Sequence, residues 1–177
     1  TSDGKAVLEG DGAVTALPGV MLGVQTADCV PVLIADGNKR AVAAIHAGWR
    51  GTVARIVEQG IATMREEYGS RPEDLVAAVG PSIGGCCYTV GEEVRSEFGA
   101  KFGYADALFR PVSDGQMHLD LWEANWRQLL DAGVAAYSIT VMGKCTACAG
   151  CHGQRKYFSH RAEHGFTGRM MSVIGVV

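Results

Sequence analysis

The chain has 177 residues, of which 47% are hydrophobic and 20% charged, and its formal net charge is −3. This length is typical of one domain and is sufficient to bury a core without disulfides or metals. No run of basic residues exceeds two, which argues against a nucleic-acid-binding surface. The longest apolar stretch, 17–35, is too interrupted by polar residues and prolines to cross a membrane. We therefore expect one domain over residues 1–177, in the cytoplasm because no signal peptide is visible.

The first half of the chain predicts three strands, a helix and a fourth strand. Thr52 is the candidate N-cap of the helix, because apolar residues recur at helical spacing from Val53 as far as Tyr68. A glycine-rich turn over 80–85 follows the fourth strand. Apolar runs rich in β-branched residues predict the strands, at 20–26, 30–35, 41–45 and 75–79.

The second half predicts two helices and three strands. A short helix is expected from Gly91 to Phe98, followed by an irregular stretch over 99–116. Asp120 is the predicted N-cap of the second helix, whose buried face should consist of Trp122, Trp126, Leu129 and Leu130. Strands are predicted at 138–142, 157–160 and 170–177. Because strands and helices do not alternate strictly, the order favours the α+β class with mixed sheets.

Two reactive side chains lie at the ends of neighbouring predicted strands. Cys29 follows Thr26-Ala-Asp28, and His46 begins the segment His46-Ala-Gly-Trp-Arg-Gly51. If both segments reach the same rim of a sheet, thiol and imidazole lie side by side, either as half of a zinc or copper site or as a nucleophile with its base. A buried free cysteine beside a core histidine is the structural alternative. Arg50 adds a guanidinium suited to a carboxylate or phosphate.

Several segments in register resemble the bacterial laccase-domain family, which is named for multicopper polyphenol oxidases and is better described as purine nucleoside phosphorylases that also deaminate adenosine. The resemblance implies a four-layer α/β/β/α fold, shared with toxin deamidases of the cytotoxic-necrotizing-factor type, which use a Cys–His pair. The segments are Thr26-Ala-Asp-Cys29, His46-Ala-Gly-Trp-Arg-Gly51, the turn from Gly80 to Tyr88, Cys145-Thr146, Phe158-Ser-His-Arg161 and Thr167-Gly-Arg-Met170.

The resemblance also implies a metal held by one cysteine and two histidines. Cys29 matches the cysteine and His46 matches the second histidine, whereas the first histidine, which in the family lies upstream, has no counterpart here. We therefore expect the family's N-terminal segment to be absent. Zinc is the expected metal and copper the alternative.

The remaining cysteines form two groups with different expectations. Cys145 and Cys148, taken with His160 and His164, imitate the spacing of a structural zinc finger, and Cys151 and His152 lie between the two pairs. A loop with adventitious thiols is the alternative for this group. The adjacent Cys86 and Cys87 are expected to be small buried residues in a tight turn rather than a redox pair.

Four functions from different classes remain open. The first is zinc-assisted phosphorolysis of adenosine, inosine or methylthioadenosine, with deamination of adenosine. In it Cys29 and His46 bind the metal and Asp28 orients a ligand or water, while Arg50, Arg161 and Ser159 bind the substrate. A copper polyphenol oxidase is the second, although five histidines without a His-x-His pair cannot form a trinuclear cluster. The third is a metal-free Cys29–His46 hydrolase or deamidase, and the fourth is an inactive interaction module. Expected partners are small molecules, not nucleic acid or membrane, and a homo-oligomer remains open.

Overall fold

The structure, a computed structural model, describes residues 9–38, 40–113, 115–148 and 155–177. The strands are β1 (Gly12–Thr15), β2 (Met21–Thr26), β3 (Val30–Asp36), β4 (Ala41–Ala47), β5 (Leu75–Val79), β6 (Thr89–Val90), β7 (Phe109–Pro111), β8 (Met117–Leu119), β9 (Ile139–Val141) and β10 (Met170–Gly175). The helices are α1 (Trp49–Val53), α2 (Ile56–Tyr68), α3 (Glu92–Lys101) and α4 (Leu121–Asp131). The predicted α+β class with mixed sheets is confirmed.

A five-stranded sheet with the order β1-β4-β3-β5-β9 forms the centre of the fold. Its first four strands pair antiparallel, and β9 joins β5 in parallel. Strands β3 and β4 are buried along almost their whole length, as expected for continuous apolar runs covered on both faces. In their register Val30 lies opposite Ala47, so the start of β3 and the end of β4 lie at one rim of the sheet.

Helices cover one face of this sheet and a two-stranded ribbon packs against the other. Helix α2 contacts β4 and β1, and α4 contacts β5 and β9. The ribbon consists of β2 and β10, which pair antiparallel and contact β3 and β4. Along β4, Ile45 faces α2, while Ala44 and His46 line a groove beside β2. His46 therefore points to the opposite side of the sheet from α2, as the alternation of side chains along a strand requires.

A second, three-stranded sheet with the order β6-β8-β7 extends the core towards α3. Its strands are short, and only β7 lies in the stretch 99–116 that was expected to be irregular. Phe98 of α3 is fully buried and makes an edge-on contact with Phe109, with ring centroids 5.7 Å apart. Aromatic packing of this kind stabilises short strands that have little pairing of their own.

Two details of the predicted helices are wrong. Thr52 is not an N-cap but a buried residue inside α1, and Arg55, with φ of 59°, separates α1 from α2. Asp120 caps α4 as predicted, since its carboxylate accepts hydrogen bonds from the backbone N–H of Trp122 and Glu123. The buried face of α4 is nevertheless rotated from the predicted one and consists of Leu121, Ala124, Asn125, Gln128 and Leu129.

Hydrogen bonds to α1 explain the rotated face of α4. The Gln128 side-chain amide donates to the Thr52 carbonyl oxygen over 2.7 Å, and that of Asn125 donates to the Thr52 hydroxyl over 3.2 Å. Buried polar side chains are stable when they are paired in this way, whereas the sequence pattern treats them as solvent-facing.

The strand predictions are mostly confirmed, with two exceptions. The predicted strand at 157–160 is wrong, because these residues form no strand, and β1, β6, β7 and β8 were not predicted. Each of these four strands has only two to four residues, too few to show an alternating pattern. Among the described residues, no helix is long and apolar enough to span a membrane.

Candidate active site

Cys29 and His46 meet at the rim where β3 begins and β4 ends. Because Val30 pairs with Ala47, the preceding Cys29 lies beside Gly48, which follows β4. The Cys29 thiol and the His46 imidazole lie together beside Gly48, and both line one cavity. Gly48 permits this approach, since a Cβ at that position would lie 3.2 Å from the Cys29 Sγ. Thiol and imidazole thus lie side by side at one rim of the sheet, as predicted from the ends of the two strands.

Asp11 is a third member of the cluster and was missed in the sequence. Its carboxylate Oδ1 lies 2.9 Å from His46 Nδ1, and its carbonyl oxygen accepts a hydrogen bond of 2.7 Å from the His46 backbone N–H. Asp11 immediately precedes β1, which pairs with β4. The signal in the sequence was an acidic residue before a short strand, Gly-Ala-Val-Thr, which had no recognisable pattern.

The two neighbours of His46 favour its protonated form. The pKa of His46 is raised from 6.5 to about 9. The interaction with Cys29 raises it most, burial lowers it, and the Asp11 carboxylate raises it further. A carboxylate, an imidazole and a thiol in this order also have the arrangement of an orienting acid, a base and a nucleophile.

The donor atoms of this cluster fit part of a zinc site. Sulfur from Cys29 and nitrogen from His46 are ligands that zinc prefers. Asp11 engages Nδ1, which fixes the orientation of the ring and leaves Nε2 for a metal, as carboxylates beside metal-binding histidines commonly do. Catalytic zinc usually has three protein ligands, and this pair supplies two of them.

A cavity of about 280 Å³ opens next to the cluster. Its size is close to the lower end of the range for small-molecule sites. The wall combines the polar groups of the cluster with aromatic and aliphatic side chains, which suits a flat ring with polar substituents. The lining residues are Asp11, Asp28, Cys29, His46, Gly48, Trp49, Arg50, Gly51, Ile83, Tyr88 and Leu121.

Arg50 and Tyr88 give the cavity its other chemical features. The exposed Arg50 guanidinium lies over the Trp49 ring, 4.3 Å from its centroid, and lines the cavity. Burial raises the pKa of Tyr88 to about 12, against the opposing charges of Arg161 and Arg50, so its ring presents a neutral phenol. A cation at the rim and an aromatic ring in the wall suit an anionic group and a planar base, respectively.

Asp28 lines the cavity, and its carboxylate also binds other segments of the chain. The two carboxylate oxygens accept hydrogen bonds of 2.6 Å, one from the Thr146 hydroxyl and the other from the Arg161 backbone N–H. Its φ of 83° is uncommon for a residue other than glycine and is held in place by these contacts. Asp28 thus joins the cavity to residues more than 100 positions away in the sequence.

Arg161 and Ser159, which were expected to bind substrate, make their contacts with other parts of the chain. The Arg161 guanidinium donates a hydrogen bond to the Thr89 carbonyl oxygen and lies over the Tyr88 ring at 5.2 Å. Ser159 is fully buried, and its hydroxyl accepts a hydrogen bond from the Ala162 backbone N–H. Neither is among the described residues that line the cavity.

The cysteines outside this cluster have partners other than those predicted. The Sγ atoms of Cys86, Cys87, Cys145 and Cys148 all lie within 4.8 Å of one another, close enough to hold a metal ion. The zinc-finger arrangement with His160 and His164 does not form in the described residues, and Cys151 and His152 lie outside them. The expectation of buried thiols is also wrong, since Cys86 is exposed and Cys87 half-buried.

The sequence matches a known family over its full length. The profile of the family described as "Multi-copper polyphenol oxidoreductase laccase" matches residues 1–177. The chain belongs to this family. The predicted resemblance to laccase-domain proteins is therefore confirmed.

Relatives in this family have names from nucleoside chemistry. The chain is 43% identical over 168 residues to the purine nucleoside phosphorylase of Deinococcus radiodurans. The matched region covers 95% of this chain and 62% of the relative. It is 42% identical over 146 residues to adenosine deaminase RL5 from an unknown prokaryotic organism, a match that covers 81% of this chain and 55% of the relative. The crystal structure of YlmD from Geobacillus stearothermophilus superposes with a TM-score of 0.86 at 40% identity, covering 94% and 60%. The chain thus spans about three-fifths of the length of the relatives it matches.

Proposed function

We propose that the chain is a purine nucleoside enzyme that catalyses phosphorolysis of adenosine and related nucleosides and also deaminates adenosine. The observation that supports this most is the Asp11–His46–Cys29 cluster at the mouth of a cavity lined by an aromatic ring and a guanidinium. Family members named purine nucleoside phosphorylase and adenosine deaminase support the substrate class.

Each group in the cavity has a role in this proposal. Arg50 binds phosphate, whose oxygen attacks the anomeric carbon of the ribose as the bond from that carbon to the purine nitrogen breaks. Tyr88 packs against the purine, which leaves with a proton and yields the free base and ribose 1-phosphate. In deamination, water replaces the amino group at C6, and ammonia leaves. Asp28 lines the cavity with its carboxylate held in place by a hydrogen bond to each oxygen, and there it orients a ligand or water.

Zinc is the proposed cofactor, held by Cys29 and His46 with one further ligand. When bound, it would activate water or polarise the substrate. Asp11 keeps the His46 ring oriented for this role through Nδ1. His46 must lose the proton that Cys29 and Asp11 favour before it can bind a metal, so loading should release protons near neutral pH.

A metal-free thiol hydrolase or deamidase is the second candidate. The arrangement of Asp11, His46 and Cys29 around one cavity, with His46 Nδ1 2.9 Å from Asp11 Oδ1, is the observation that favours it. In that reaction the Cys29 thiolate attacks a carbonyl carbon, and the imidazolium of His46 gives its proton to the leaving amine. The two candidates differ in their need for zinc and phosphate.

The test compares zinc-loaded and chelator-treated protein on adenosine with and without phosphate, with products separated by chromatography. We expect adenine only with zinc and phosphate, inosine with zinc alone, and neither from His46→Ala. Arg50→Lys should lose phosphorolysis at least tenfold and keep deamination, because an ammonium lacks the two-pronged guanidinium contact. Arg110→Lys, an exposed arginine on β7, is the matched control. Activity that persists after chelation would contradict the zinc proposal, and a copper-dependent turnover of phenols alone would contradict the nucleoside proposal.

A further inference from the structure

We propose that Cys86, Cys87, Cys145 and Cys148 form a structural zinc site, separate from the Cys29–His46 pair, that holds a loop of the cavity wall to a neighbouring loop. The first loop is the turn from Gly80 to Tyr88, and the second is 142–148, after β9. This site does not depend on the proposed function, because it rests on a different set of side chains.

The positions of the four sulfurs are close to those of a tetrahedral site. Cys148 Sγ lies 3.4 Å from the Sγ atoms of both Cys86 and Cys87, and all four sulfurs are within 4.8 Å of one another. Zinc–sulfur bonds of about 2.3 Å in a tetrahedron place the sulfurs about 3.8 Å apart. Small rotations of the side chains are therefore sufficient to reach that geometry.

Backbone contacts already hold the two loops in register around the sulfurs. The Ser82 N–H donates to the Lys144 carbonyl oxygen over 3.2 Å, and the Thr146 N–H donates to the Ser82 carbonyl oxygen over 3.1 Å. The Gly84 N–H donates to Cys145 Sγ over 3.2 Å, a contact that favours the thiolate over the thiol. The ligands are thus pre-positioned by the backbone, which lowers the ordering cost of binding a metal.

The chemistry of the donors selects the metal. Four thiolates are soft ligands, and a closed tetrahedral set of sulfurs is the usual form of a structural zinc site. The pair Cys145-x2-Cys148 has the close spacing common in such sites. Cys86 is exposed and the other three are half-buried, so a metal ion can reach the cluster from solvent.

The four cysteines lie next to residues that form or support the cavity wall. Ile83 and Tyr88, on either side of the Cys86–Cys87 pair, line the cavity. Thr146, between the other two ligands, donates its hydroxyl hydrogen to Asp28. Zinc would therefore fix the wall that faces Cys29 and His46 without taking part in the reaction.

The test measures zinc per chain by mass spectrometry of the metal after anaerobic purification and dialysis. The parent protein carries Cys29→Ala and His46→Ala, which removes the ligands of the other proposed site. We expect about one zinc per chain in this parent and about none after Cys148→Ser is added. Cys151→Ser, the next cysteine along the chain, is the matched control and should keep the zinc.

A second measurement remains informative if the Cys148→Ser variant does not fold. Cobalt added to the apo parent should give the visible absorption of a tetrahedral site with four thiolates, and zinc should displace it. A parent without zinc that contains fewer free thiols on denaturation would overturn the proposal in favour of a disulfide. Iron with acid-labile sulfide would overturn it in favour of an iron–sulfur cluster, and zinc that survives Cys148→Ser would assign the metal to other residues.

Discussion

Removing the carboxylate of Asp11 should lower the pKa of His46, and removing the thiol of Cys29 should lower it more. In the metal-free protein the pKa of His46 is raised to about 9, first by its hydrogen bond to Cys29 and, after the opposing effect of burial, by Asp11. The side chain of Asp11 is 64% exposed, so its ion pair contributes about 0.2–1 kcal/mol. Because one pKa unit equals about 1.4 kcal/mol, Asp11→Asn should lower the pKa by less than about one unit.

The same shift makes the stability of the fold depend on pH. The imidazole is protonated more readily in the folded chain than in the unfolded one, so its contribution is fully present below pH 6.5. It is lost as the pH rises from there through about 9. The full shift corresponds to at most about 3 kcal/mol. Screening of a side chain that is 32% exposed reduces this to about 1–2 kcal/mol.

Nuclear magnetic resonance of the imidazole ring protons measures this pKa directly in chelator-treated protein. We expect a titration near pH 9 in the parent, a small downward change in Asp11→Asn and a larger one in Cys29→Ala. His118→Gln simplifies the spectrum without touching the cluster, since His118 lies on β8. A titration near 6.5 in the parent, or a larger effect of Asp11 than of Cys29, would refute the reasoning.

Two further predictions concern packing and the cavity wall. Gly60→Ala should destabilise the fold by about 1–3 kcal/mol in urea unfolding, because the new Cβ would lie 2.5 Å from Ile45 Cδ1. The control is Gly99→Ala, which adds a Cβ in open space on α3 and should stabilise the fold by about 0.5–1 kcal/mol. Equal effects of the two substitutions would contradict the packing described for α2 and β4. Thr146→Val should lower the free energy of unfolding by about 1–3 kcal/mol, because the buried Asp28 carboxylate loses the hydroxyl donor at 2.6 Å. A urea unfolding midpoint equal to that of the parent would show that this hydrogen bond does not stabilise the fold.

The central strands could be predicted from the sequence because their patterns are local. Two continuous apolar runs predicted β3 and β4, and the reactive side chains at the ends of these runs, Cys29 and His46, were predicted to meet. Asp11 could not be found in this way, because its role depends on β1 pairing with β4, and β1 is only four residues long. The order of strands in a sheet is a tertiary property that local patterns do not contain.

The four-cysteine cluster shows the same limit more strongly. Cys87 and Cys148 are 61 residues apart, and the loops that carry them meet through the pairing of Ser82 with Cys145. The spacing of Cys145 and Cys148 indicated a metal site, but the spacing of the histidines that follow them supplied the wrong partners. Close spacing in the sequence identified one half of the site, and only the fold identified the other half.

Phosphorus nuclear magnetic resonance of zinc-loaded protein with adenosine and inorganic phosphate tests the nucleoside proposal most directly, because it observes the product that only phosphorolysis forms. The proposed function predicts that a ribose 1-phosphate signal grows as the phosphate signal falls, and that His46→Ala abolishes the change. A zinc-loaded protein that leaves the phosphate signal unchanged, or a His46→Ala variant that forms ribose 1-phosphate at the parent rate, would contradict it.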